Sequence, residues 1–215
     1  MIYLHKLKRR CLLRRYGDNP SFLKFFPEID LSTPVGKATF IIFDTETTGL
    51  DPKRSELISI GALRVREMTL ELSSTFHRFI LPTELSRSSV EIHGITLEEL
   101  REKAEPVERV LEDFLTFAKG SVLVGFNVEF DRKIVDKYVR KLYGIPFSPY
   151  RLDIFHLWKS RGGEGKSLKE IAQELGVPSS GTHCALDDAY ITALLFLKLA
   201  HRLKDEPLKK LPLMV

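Results

Sequence analysis

The chain has 215 residues, 43% hydrophobic and 29% charged, the balance of a soluble globular protein with a core of its own. No run of about 18 uncharged apolar residues occurs, which excludes a membrane-spanning helix, and the basic start lacks the apolar centre of a secretory signal. Two cysteines, Cys11 and Cys184, sit far apart with no CxxC, which argues against a disulfide framework or structural zinc and for a reducing, cytoplasmic setting. The 33 Lys and Arg against 29 Asp and Glu leave a formal charge of +4, compatible with a polyanionic partner without requiring one.

Residues 1–36 differ in composition from the rest. A basic, Leu-containing start suggests a short amphipathic helix with Leu4, Leu7 and Cys11 on one side. Pro20, Pro27 and Pro34 then interrupt regular structure, and Phe22, Phe25 and Phe26 read as aromatics that dock this arm on the main domain. Strands are expected over residues 40–43, 57–66 and 73–81, joined by short connections as an antiparallel meander. Thr96 and Glu99 have the spacing of a capping box. Pro106 opens a helix whose Val107, Val110, Leu111, Phe114 and Leu115 share a face. Residues 121–126 form a fourth strand, after which Asn127 is expected to cap a helix that ends near Gly144. Residues 150–155 suggest a short fifth strand. Ser167 and Glu170 cap a further helix, and a long helix from about 184 to 203 closes the domain. The charged tail, residues 204–215, is expected to be loose or to dock on another chain.

The order of elements predicts a mixed α/β domain with helices packed on a sheet. It divides the chain into an arm (1–36), a domain (37–203) and a tail (204–215).

Three acidic segments stand out. Asp44 follows an apolar run, and Glu46 lies two positions on, so both project to one face of an extended strand. Two carboxylates at the end of a buried strand repel each other and lose hydration, costs that a divalent cation with oxygen ligands, Mg²⁺ or Mn²⁺, offsets. A solvated strand end followed by a turn at Gly49 is the plainer alternative. Asn127 and Asp131 are four apart at a helix start and share a face, although an acid in a first turn is also favoured by the helix dipole alone. His183 and Asp188 are five apart, which on an ideal helix is a rotation of about 140°. His183 therefore has to sit on the loop before the helix if both serve one site; a His after such a loop is otherwise simply exposed.

Taken together, Phe43-Asp-Thr-Glu-Thr-Thr-Gly-Leu50, Asn127-x3-Asp131 and His183-x4-Asp188 resemble the three motifs of the DEDDh (DnaQ-like) 3′–5′ exonucleases, a family that includes bacterial proofreading subunits. Glu91-Ile-His-Gly-Ile-Thr96 is similar to a stretch common in its polymerase-associated members. The resemblance spans residues 39–199 and leaves the arm outside. It implies a ribonuclease-H-like mixed sheet, a three-strand antiparallel meander plus parallel strands, flanked by helices. It further implies that Asp44, Glu46, Asp131 and Asp188 hold two Mg²⁺ or Mn²⁺ ions, with Asp44 bridging them, and that His183 is the general base.

By the same resemblance, Thr47, Leu50, His93, Phe126 and Asn127 contact the substrate. For His93 the alternative is that it only fixes its own turn. Asp187 is a decoy beside Asp188. Arg132, Lys133, Lys137, Arg140 and Lys141 are candidates to hold the strand backbone, or else a plain solvated helix face. The implied activity is metal-dependent hydrolysis of a single-stranded or frayed DNA 3′ end to nucleoside 5′-monophosphates, free-standing or beside a DNA polymerase subunit. An RNA 3′-trimming enzyme and a non-catalytic nucleic-acid-binding scaffold are the alternatives, and the intact acid set argues against the scaffold.

Overall fold

A computed structural model of the chain describes residues 2–165, 167–179 and 184–215. Five strands, β1 (Thr39–Thr47), β2 (Leu57–Arg66), β3 (Thr69–Phe79), β4 (Val122–Gly125) and β5 (Arg151–Asp153), form one sheet in the order β3-β2-β1-β4-β5. The first three are antiparallel neighbours, and β4 and β5 run parallel to β1. This is the ribonuclease-H-like mixed sheet expected of the sequence. The helices are α1 (Ile2–Tyr16), α2 (Pro20–Phe25), α3 (Arg87–His93), α4 (Leu97–Lys103), α5 (Val107–Ala118), α6 (Glu129–Tyr143), α7 (Ile154–Lys159), α8 (Leu168–Glu174) and α9 (Ala185–Ala200).

Strand alternation sorts the core into two layers. Phe40 and Ile42 pack under α9 with Leu195, Phe196 and Leu199, the Phe40 and Phe196 ring centroids lying 4.5 Å apart. Ile41 and Phe43 point the other way, against Phe114 of α5 and Ile134 and Val135 of α6. Each such side chain contributes roughly 1.5–3 kcal/mol by leaving water. With both faces covered, β1 becomes the rigid centre of the molecule.

Several boundaries depart from the sequence reading. β1 runs four residues past Phe43, because β2 continues to pair with it through the polar segment. β3 starts at Thr69, after a two-residue turn in which Glu67 and Met68 both take positive φ (50° and 57°), without the glycine or asparagine that usually signals such a turn. Thr96 accepts from the Glu99 amide, but Glu99 pairs with Lys103 instead of returning the bond, whereas the Ser167–Glu170 capping box is complete. Asn127 does not cap α6; Val128 occupies that position, and Asn127 sits before it in the left-handed region. The fifth strand stops at Asp153, whose side chain caps α7.

The arm docks as its aromatics suggest. Phe22, Phe25 and Phe26 are buried, Phe25 against Tyr143 and Phe26 against Phe147. Of the apolar stripe expected on the first helix, Leu7 and Cys11 are exposed and the side chain of Leu4 is outside those described, while Leu12, Leu13 and Tyr16 pack against the core. The anchor is Arg9. Its guanidinium is buried, pairs with Glu28 at 2.7 Å, donates to the Phe26 carbonyl and lies over the Phe22 and Tyr150 rings. The tail is likewise bound to its own chain. Leu208, Leu211, Leu213 and Val215 close the α9 layer, and Met214 exchanges two backbone hydrogen bonds with Arg151 at the edge of β5.

Candidate active site

The site forms where β1 outruns its parallel neighbour. Asp44 and Glu46 follow Phe40 and Ile42 on the α9 face, opposite Gly61 and Ser59 of β2. Gly61 lets α9 begin there: a Cβ on it would lie 2.3 Å from the Ala185 carbonyl carbon and the Leu186 amide nitrogen, a distance no side chain tolerates. Asp188 stands in the first turn of α9, close enough to act electrostatically on both Asp44 and Glu46. Asp187 is exposed beside the half-buried Asp188.

The other side is built by hydrogen bonding. β4 pairs with β1 only as far as Ile42↔Val124, leaving the backbone of β1 without a ladder partner beyond it on that edge. Asp131, from the first turn of α6, takes up the vacancy. Its Oδ1 accepts from the Thr45 amide at 3.1 Å and from the Thr45 hydroxyl at 2.6 Å. A carboxylate thus extends the sheet by one acceptor and arrives beside Asp44.

The electrostatics are those of crowded anions. Burial raises the Asp44 carboxyl well above its ordinary range, and Asp131, Glu46, Asp188 and Cys184 add to the shift in that order. Glu46, 9% exposed, is pushed up to about 8 by burial and then by Asp188 and Asp131. Asp131 is raised to about 7 by burial, against the lowering effect of its Thr45 bonds. Among the described residues, the side chains that act on Asp44 all raise its pKa. Hard oxygen donors that repel one another in a partly dry site fit a small divalent cation by their chemistry. Among the described residues, no group of three or more His, Cys, Asp or Glu side chains is arranged to hold an ion as it stands.

The other named residues are placed as follows. Thr47 is half-buried, and its hydroxyl donates to the Gly49 carbonyl at 2.7 Å, shaping the loop on which Leu50 stands 87% exposed. Phe126 leaves β4 edge-on to Phe155, and Asn127, at φ 52°, is exposed. His93 is buried. Its Nδ1 accepts from the Ile95 amide, so the ring proton resides on Nε2, a buried atom with no hydrogen-bond partner among the described residues. Burial lowers the pKa of His93. His183 lies outside the described residues. Of the basic residues on α6, Arg132 is engaged by Glu129 and Asp136, Arg140 by Asp136 and Lys137 by the Ser55 carbonyl, while Lys133 and Lys141 are exposed.

Three residues that the sequence reading passed over shape the site: Thr45, Gly61 and Asp153. Thr45 is flanked by the two acids and belongs to the opposite face, so alternation alone hides its role. Gly61 carried a signal, a lone glycine inside a strand, which marks close backbone approach. Asp153 was submerged in an expected strand, although Asp before an apolar run is also a helix-cap pattern.

A ribonuclease-H-like sheet with acids gathered at the end of its central strand defines a class of nucleases. The model of a family described as Exonuclease matches residues 41–196, and the chain belongs to that family, in its DnaQ-like branch. It is 34% identical over 171 residues to the DNA polymerase III subunit epsilon of Aquifex aeolicus, covering 77% of this chain and 82% of that one. It is 36% identical over 178 residues to the PolC-type DNA polymerase III of Thermotoga maritima, of which it spans only 13% of the length. Among solved structures, E. coli exonuclease I in complex with a dA16 oligonucleotide superposes with a TM-score of 0.65 at 20% identity, over 79% of this chain and 42% of that one, a likeness of fold.

Proposed function

We propose that the chain is a metal-dependent 3′–5′ exonuclease that removes nucleoside 5′-monophosphates from single-stranded or frayed DNA ends, with residues 37–203 as the nuclease domain, 1–36 as an arm and 204–215 as a tail. The observation that carries this reading is the convergence of Asp44, Glu46 and Asp188 on one side of β1 with Asp131 on the other, a crowding in which burial and the neighbouring carboxylates raise Asp44 and Glu46 and burial raises Asp131. Such a cluster is costly unless cations neutralise it. The preference for DNA is supported by the relatives, both named as DNA polymerase III proteins. Association with a polymerase subunit in the cytoplasm belongs to the same reading.

Asp44, Glu46, Asp131 and Asp188 would hold two Mg²⁺ or Mn²⁺ ions. Those ions, when bound, supply positive charge against the negative charge that grows on the attacking water, the phosphoryl oxygens and the departing 3′ oxygen. The chain's own residues do the rest. His183 takes a proton from the water, work for which a neutral imidazole is suited near pH 7. Leu50 offers an exposed apolar edge for the terminal base to stack on. Thr47 fixes the loop that presents it. Phe126 and Asn127 line the path of the strand, and the Nε2–H of His93 donates to the terminal sugar.

The test is digestion of matched DNA and RNA oligonucleotides, labelled at either end, with Mg²⁺, Mn²⁺ or chelator. Mononucleotide release from the 3′ end of DNA, abolished by chelator, is expected. Release from the 5′ end, internal cuts, or activity that persists in chelator would overturn the reading, and faster RNA trimming would replace its substrate.

A further inference from the structure

Asp153 makes more contacts than a helix cap needs. It is 3% exposed at the end of β5. Its Oδ1 accepts from the Phe155 amide at 2.9 Å, the ordinary cap of α7. The same carboxylate also reaches across to the end of β4, where Oδ1 accepts from the Asn127 amide at 3.2 Å and Oδ2 from the Val128 amide at 3.1 Å. One side chain therefore holds the entries of two neighbouring helices.

The turn that it holds is tight and includes a left-handed residue. Asn127 sits at φ 52°, a conformation that costs an L-residue about 1 kcal/mol. Val128 is folded back so tightly that a Cβ on Gly125 would come within 2.9 Å of its Cγ2. Three residues later Asp131 bonds to Thr45 of β1. The direction in which α6 leaves this turn decides whether the Asp131 carboxylate reaches the strand. Electrostatically, Asp153 is an awkward choice, since its charge adds to the burden on Asp131. Two acceptor oxygens are what recommend it: an asparagine of the same shape offers only one and would turn an N–H toward an N–H.

We infer that Asp153 is a positioning residue that sets the approach of Asp131 to β1, so that cation binding depends on a carboxylate outside the cation-holding set; this rests on the function proposed above. The test compares Asp153→Asn and Asp153→Ser with the wild type and Asp131→Asn in the full chain. Serine can still cap α7 but is too short to span to residues 127 and 128. With metal absent, amide hydrogen exchange at Asn127 and Val128 is expected to quicken at least about tenfold in both Asp153 variants. Mn²⁺ affinity measured by calorimetry is expected to fall about 10–100-fold. The kcat on a 3′-labelled single strand should fall with it, while KM stays within about threefold. A folded Asp153 variant with wild-type exchange and Mn²⁺ affinity overturns the inference. If Asp153→Asn does not fold, Asp153→Ser decides on the same criteria. Should Asp131→Asn itself bind Mn²⁺ and cut as the wild type does, Asp131 leaves the cation-holding set and the inference falls with it; a wild type that neither binds Mn²⁺ nor cuts sinks the nuclease reading instead.

Discussion

The two sides of β1 bring acids to the same place by different means. On the α6 side, Asp131 is held by hydrogen bonds to Thr45, and the turn behind it by bonds to Asp153. On the α9 side, close backbone packing over Gly61 delivers Asp188 toward Asp44 and Glu46. One side is fixed by satisfied polar groups and the other by the absence of a side chain. The first should therefore tolerate small changes of shape but not loss of an acceptor, and the second the reverse.

The largest effect belongs to the residue both sides share. Asp44→Ala should abolish Mg²⁺-dependent release of mononucleotides from a 3′-labelled strand, and activity near the wild-type level would remove Asp44 from the site. His183→Ala should lower kcat about 10²–10⁴-fold while binding of the same strand, followed by fluorescence anisotropy, stays unchanged. Gly61→Ala tests the α9 side. Its new methyl meets backbone and not a movable side chain, so we expect a loss of about 1–3 kcal/mol in urea unfolding together with weakened Mn²⁺ binding. On the α6 side, Thr45→Val keeps the shape and the amide bond but deletes the hydroxyl, and should cost about 1 kcal/mol with a smaller loss of rate.

A pH series sharpens the contrast without mutation. Glu46 has a folded pKa of about 8 against an ordinary 4.5, so between those values the native state retains a proton that the unfolded chain has lost. Stability of the metal-free protein should accordingly decline as pH rises from about 5 to 8, and added Mn²⁺ should raise Tm more at pH 8 than at pH 6. A metal-free Tm that is flat or rising across that window would show that Glu46 is not buried as described.

The central strands and the long helices were legible in the sequence, because apolar periodicity reports on them directly, and three spaced motifs pointed to the four acids proposed for the site. What was not legible depended on contacts between distant segments. Asn127 has the composition of a cap, yet the bonds from Asp153 place it one residue outside the helix, in a left-handed turn. The first helix looked apolar on one side, yet Arg9 anchors it through Glu28 and the Phe22 ring, partners that helical spacing cannot reveal. The tail was too short and polar to suggest a core, yet four of its residues are buried.

That tail also changes how the sheet meets its surroundings. An outer strand with free amides and carbonyls is a template for intermolecular strand addition, and short, covered or charged edges suppress it. β5 is only three residues long, and Met214 occupies both backbone positions of Arg151. Clipping the last few residues should uncover this rim and the apolar layer beneath it, turning a quiet border into a nucleus for self-association.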